Sequence, residues 1–196
     1  MTVIAAPSTF KPDSFSMYLA TNERAFASPY EGSEQVLDMG NDRWKISLTL
    51  PRDRPEVAAR NEAFLNALRG QTNTCYLWHM KQRVPLGTMR GAPLTNGAFA
   101  GTDSMIIGTT PGATLLAGDM LGVAGLLLQV RDDAVADGSG VMTVTFVNKF
   151  RKYINAGLPV IWDRPTAPFR KVSNASFQHF FGYAEGVSID FVEAIS

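Results

Sequence analysis

From Trp44 to Leu50 apolar and polar residues alternate without a break, with Trp44, Ile46, Leu48 and Leu50 on one side and Lys45, Ser47 and Thr49 on the other. Period two marks a strand with one buried and one wet face. Pro51 has no N–H to give the ladder and ends it. The period then lengthens. Val57, Asn61, Phe64, Leu65 and Leu68 trace one stripe at helical spacing, which predicts a helix over residues 54–69. Asp53 is its expected N-cap, Pro55 suits the first turn and Gly70 offers a left-handed stop. Glu56 and Arg60 pair four residues apart on the outer side. A second short strand, TCYLWHM at 74–80, follows.

At Pro85 the pattern breaks into shorter pieces. Eleven of the 17 glycines lie between residues 85 and 140. Each costs about 0.5–1 kcal/mol relative to Ala inside a helix, so this density points to short strands and tight turns. The candidates are SMIIGTT (104–110), DMLGVAG (119–125), LLLQV (126–130) and VMTVTFV (141–147). In the last, Met142, Val144 and Phe146 oppose Thr143 and Thr145. RDDAVADGSG is expected to turn between two of them, with Asp137-Gly138 as its strongest local signal. Short strands joined by glycine turns over about 85 residues predict a small OB-like β-barrel.

The closing VSIDFVEAI (187–195) reads as a strand that must join a sheet, and the sheet begun by residues 44–80 is its natural host. Residues 1–43, rich in Pro, Ser and single charges, read as an arm plus a loose hairpin. The expected chain is therefore mainly β (α+β). Residues 1–84 and 173–196 form one β-rich domain carrying the helix, and residues 85–172 form an inserted β-barrel domain. No internal repeat, low-complexity tract or flexible linker interrupts it.

Charge and chemistry narrow the function classes. Eighteen Lys and Arg balance 18 Asp and Glu, so no bulk field draws the chain to nucleic acid or anionic lipid. No apolar run approaches the roughly 18 residues of a membrane span, so no membrane partner is expected. The opening MTVIAAPSTF lacks the charged and apolar regions of a secretory signal. A single cysteine excludes a disulfide framework. The expectation is a soluble, ordered protein of a reducing compartment.

The catalytic inventory is thin. His79 sits in a hydrophobic strand pattern and His179 in the aromatic run FQHFFGY, and neither belongs to a metal-ligand spacing. Cys75 reads as a small buried hydrophobe. Asp133, Asp137 and Gly138 echo a calcium loop, yet its twelfth position is Val144, which supplies no carboxylate. No nucleophile elbow or phosphate-binding glycine loop is present. No cofactor, no metal and no enzymatic activity are expected.

One constellation points outward. Lys149, Phe150, Arg151, Lys152 and Tyr153 are followed by Trp162, Arg164, Phe169, Arg170 and Lys171. Cations interleaved with rings are what single-strand binders use, charge for phosphates and rings for bases. Lys149, Arg151, Lys152, Trp162, Arg170 and Lys171 are the candidate surface-binding residues. Residues 85–172 hold eight basic against six acidic residues, less lopsided than a nucleic-acid groove. The expectation is a solvated strand edge with no nucleic-acid partner.

The order of these pieces resembles a family. WKISLTLP at 44–51, NEAFLNALRG at 61–70, PLGTMRG at 85–91, LAGDML at 116–121, VTFVNKFR at 144–151 and PFRK at 168–171 follow one another as in the distal tail proteins of long-tailed bacteriophages. The likeness is to siphophage members with an OB-fold insertion in a β-sandwich scaffold, and it covers most of residues 40–196. It implies a structural virion protein, made in the host bacterial cytoplasm and placed at the phage tail tip. There a homohexameric ring joins the tail tube protein to the tail tip or baseplate hub protein. Some members' inserted modules bind host sugars, so a host-surface sugar is an optional further partner. An OB-fold module for single-stranded nucleic acid and a carbohydrate-binding module remain the alternatives.

Overall fold

The computed structural model describes residues 2–27, 32–80 and 82–195. Part of the expected arm, residues 1 and 28–31, lies outside these. The first strands are β1 (Ser14–Ala20), β2 (Glu23–Ala27), β3 (Glu34–Asp38) and β4 (Arg43–Leu50), followed by the helix α1 (Pro55–Ala67) and β5 (Cys75–Trp78). Then come β6 (Leu94–Thr95), β7 (Ser104–Gly108), β8 (Thr114–Leu115), β9 (Met120–Val123), β10 (Leu126–Gln129), β11 (Ala134–Val135) and β12 (Val141–Thr145). The last are β13 (Val160–Ile161), β14 (Thr166–Lys171), β15 (His179–Phe180), β16 (Tyr183–Ala184) and β17 (Val187–Glu193). Strand accounts for 42% of the chain and helix for 7%, which makes it mainly β.

The chain divides into two compact units. Met1–Tyr18, Trp44–Lys81 and Thr166–Ser196 form the first, Leu19–Arg43 and Gln82–Pro165 the second. Both expected boundaries move. The hairpin of β2 and β3 belongs to the second unit, and that unit ends at Pro165 rather than residue 172. The reason for the second change is β14, whose residues 167, 169 and 171 are buried and which pairs on both edges within the first unit.

The first unit is built on a five-stranded sheet in the order β1-β4-β17-β14-β5. The pairs β4–β17, β17–β14 and β14–β5 are antiparallel. The C-terminal strand thus inserts between β4 and β14, with Phe191 opposite Ile46 and Ile189 opposite Leu48. Alternation does what it promised: Trp44, Ile46, Leu48, Leu50, Ile189 and Phe191 are buried, while Lys45, Ser47, Ser188 and Asp190 face water. Helix α1 buries Ala58, Asn61, Phe64 and Leu65, and its C-cap Leu68 is buried beside them. Each fully buried aliphatic or aromatic side chain contributes roughly 1.5–3 kcal/mol. Phe64 meets Phe10 edge to face at 5.2 Å.

The cap differs from expectation. Arg54, with no side-chain cap bond, precedes the helix. The Asp53 carboxylate accepts from the Arg54 N–H at 2.8 Å, and the Asp53 backbone makes two bonds with Ala184. Held in that bridge, Asp53 is not the N-cap. The stop behaves as read, with Arg69 and Gly70 at φ 49° and 64°.

The second unit contains the antiparallel sets β12-β7-β6, β10-β9-β13, β11-β8 and β2-β3. Its core joins residues from Met89 to Val160, with Ile107, Leu115, Val123, Leu128, Phe146 and Phe150 at its centre. Isolated bridges connect Val130 with Phe146 and Leu94 with Pro159. RDDAVADGSG is more than a turn, since its residues 134–135 form β11 and pair with β8. Asp137 does organise the corner, accepting from the Ser139 and Val141 N–H groups at 2.8 and 2.9 Å.

Two features fix this unit where strands are too short to set their own register. Asp119 is fully buried, and its carboxylate accepts from the Leu86, Gly87 and Leu116 N–H groups and the Gln82 amide. Gly87 lies so close to the next strand that a Cβ would stand 2.2 Å from the Thr114 carbonyl oxygen. Only glycine fits there.

Candidate functional site

The six candidate residues are divided between the two units. Lys149, Arg151, Lys152 and Trp162 belong to the second unit, Arg170 and Lys171 to the first. Lys171 is a correction: only 6% exposed, it points with Phe169 to the inner face of the sheet and donates to the Leu65 carbonyl at 3.1 Å. A buried ammonium needs such a partner, so Lys171 ties strand to helix and offers nothing to a ligand. Arg170 is half-buried on the same strand.

Lys149 and Arg151 come together around a turn of their own unit. The Lys149 ammonium sits 2.7 Å from Asp38, and Arg151 donates to the Asp42 carbonyl at 2.7 Å. Between those acids Gly40 and Asn41 are both left-handed. The hydrogen bond from Lys149, then one from the Gly40 N–H, holds the Asp38 carboxyl below its ordinary range, and the same contact raises Lys149. Met39, Phe150 and both cations line a shallow cavity of about 200 Å³ here. These two cations thus brace the Asp38–Asp42 turn. Both members of the ion pair are exposed, and such pairs contribute little.

Trp162 is half-buried and packs against the core of the second unit. Its indole N–H donates to the Gly91 carbonyl at 2.9 Å, and the Arg90 guanidinium stands 5.2 Å from its ring centre. Arg90 is itself occupied by the Pro85, Gly87 and Met89 carbonyls. Lys152 is exposed and precedes Tyr153, whose ring lies 5.7 Å from that of Phe99. Phe99 is 72% and Tyr153 56% exposed. The reciprocal backbone bonds of Ala98 and Ile154 hold the two rings in place.

The groups weighed for catalysis are occupied structurally. Burial pushes the Cys75 thiol up to about 12, far from a nucleophile's range. His79 meets Phe15 edge to face at 5.2 Å, and His179 lies 3.2 Å from Glu62. Asp133 accepts from the Ala117 N–H. Among the described residues no group of three or more His, Cys, Asp or Glu side chains is placed to hold a metal, and no helix is long and apolar enough to cross a membrane.

Sequence reasoning passed over Asp119, the Phe99–Tyr153 pair and Phe181. A readable signal existed for two of them: an acid enclosed by apolar residues in LAGDML, and an aromatic immediately before the turn glycine in FFGY. Phe99 carries no such local mark. No protein-family model matches the chain, and no curated protein matches its sequence.

Proposed function

We propose that the protein is a distal tail adaptor of a long-tailed bacteriophage, a homohexameric ring that joins the tail tube to the tip or baseplate proteins. The observation that carries this reading is the chain layout. A C-terminal strand closes the sheet between β4 and β14, and the bulk of the second unit leaves after β5 and returns at β14. That is the plan of a scaffold with an insertion, in the order that the resemblance implies.

In this reading the five-stranded sheet is the larger layer of a β-sandwich scaffold, faced by α1 and the β15–β16 hairpin. The second unit is the OB-like barrel. Its bridges at Val130–Phe146 and Leu94–Pro159 support closure, because they link β10 to β12 and the start of β13 to β6. The charge balance weighs against the single-strand alternative. The second unit holds nine Lys and Arg against eleven Asp and Glu, net −2, and a nucleic-acid groove needs an excess of cations.

A sugar role for the second unit has one supporting observation, the exposed Phe99–Tyr153 pair, since rings of this kind stack on apolar sugar faces. Binding to host polysaccharide, lost in Tyr153→Ala, is its test.

The adaptor reading is tested by native mass spectrometry and by electron microscopy with assembled tail tubes. Six copies per ring and a cap at tube ends are expected. A chain that never caps tube ends overturns it.

A further inference from the structure

The hairpin of β15 and β16 presents an aromatic side chain where a two-residue turn ordinarily carries a small polar one. Phe181 occupies the first corner and is fully exposed, with Gly182 at φ 88° completing the turn. The mount is rigid. Phe180 stacks on Tyr183 with ring centres 5.0 Å apart, and the Arg52 guanidinium lies 3.4 Å from the centre of the Tyr183 ring. His179 is held by Glu62 of α1, and Ala184 by the two backbone bonds to Asp53. A bare phenyl ring on a braced support is a pre-organised anchor, the kind of group that dominates protein interfaces.

The same unit carries a groove of matching character. On the outer face of the sheet, Tyr18, Val172 and Val192 wall a depression of about 320 Å³ with Lys45, Ser47 and Asp190 along it. Its volume is that of roughly ten waters at about 30 Å³ each, room for a phenyl ring. Tyr18 and Val172 are 54% and 50% exposed. The Lys45 ammonium already lies 5.9 Å from the Tyr18 ring centre, where it also meets the face of an incoming ring.

Knob and groove sit on opposite sides of one sheet. The hairpin is tied to α1, which lies on the inner face with the Lys171–Leu65 bond, whereas Lys45, Ser47 and Asp190 point outward. They are also displaced along it. The hairpin precedes the start of β17 at Val187, and the groove lies at residues 190–192 near its end. One copy presenting its knob to the groove of the next therefore makes a head-to-tail contact, in which every copy uses the same two surfaces.

We propose that Phe181 of one copy of this chain inserts between Tyr18 and Val172 of a second copy, and that this contact drives self-association. The proposal rests on the ring reading above and names the contact that makes the ring. Sedimentation and native mass spectrometry of the full chain test it. Phe181→Asp leaves the melt of the dilute monomer unchanged, because the side chain touches solvent, and weakens self-association about thirtyfold or more. Val172→Glu has the same effect from the groove side. A mixture of Phe181→Cys and Val172→Cys chains gives the 181–172 heterodisulfide on oxidation in excess of the homodisulfides that each variant forms alone, and Cys75, being buried, adds none. Oligomers that persist in Phe181→Asp overturn the proposal while the ring reading stands. A wild-type chain that neither self-associates nor cross-links at high concentration also overturns it, and capping of tube ends then judges the adaptor reading separately.

Discussion

In the first unit β4 and β17 run eight and seven residues, and one alternating face after another turns inward. In the second, among the described residues, no strand exceeds five residues, and several are pairs. A strand of seven or eight residues sets its register by its own hydrophobic pattern, because a one-residue slip turns every side chain to the wrong face. A two-residue strand has no pattern to slip. The second unit replaces pattern with point constraints: a buried carboxylate that gathers four donors, a glycine that lets two backbones touch, and Asn148, whose amide bonds the Gln129 N–H and the Leu127 carbonyl. Distributed periodicity degrades gradually under mutation. Point constraints fail one at a time and completely.

The largest test of that contrast is to separate the units. The whole core of the second unit lies between Met89 and Val160, so residues 82–165 expressed without the hairpin of β2 and β3 are expected to melt cooperatively with dispersed amide signals. An unfolded fragment makes the hairpin part of the core.

Next in size is Phe64→Ala in the first unit. A buried aromatic truncated to alanine costs about 3–5 kcal/mol, and denaturant unfolding should register that loss in the first unit alone. A loss below about 1 kcal/mol detaches α1 from the sheet.

Asp119→Ala attacks a point constraint instead. It strips the partner from four donors at a fully buried position, and each donor left unsatisfied costs about 1–3 kcal/mol. Destabilisation of the second unit by about 3 kcal/mol or more is expected, with hydrogen exchange rising first at the Leu86, Gly87 and Leu116 amides. Asp119→Asn, which keeps the shape, should recover part of it. A null result at both readouts would show that the short strands hold their own register.

The effect that is smallest near neutral pH is in the first unit and grows with alkalinity. Burial raises the Cys75 thiol to about 12, while in the unfolded chain it ionises from about 8.5. Ionisation above that value favours the unfolded state, so stability is full below it and falls as pH rises toward 12. Cys75→Ala should flatten this slope in denaturant titrations between neutral and alkaline pH.

Legibility followed the same division. Trp44–Leu50, the helix stripe and the need of residues 187–195 for a host sheet could all be read, because each rests on a period sustained over seven residues or more. Lys171 was misread because its charge outweighed its position, although period two counted from Phe169 places it inside. Asp119 escaped because three of its four donors lie 32 to 37 residues away in the sequence. The membership of residues 19–43 in the second unit has no local trace at all. It is a property of the assembled chain.

The pairing of Trp78 with Thr166 has a consequence for how this chain can be rebuilt. These residues stand side by side in an antiparallel ladder, yet everything from His79 to Pro165 intervenes between them. To the sheet, that stretch is the loop of one hairpin, and closure entropy grows only slowly with loop length. Such a junction works as a socket: a two-residue Asn-Gly turn or an unrelated domain spliced there meets the same two strand ends. The stretch from His79 to Pro165 can then be exchanged at this one junction while the register between β5 and β14 stays as it was.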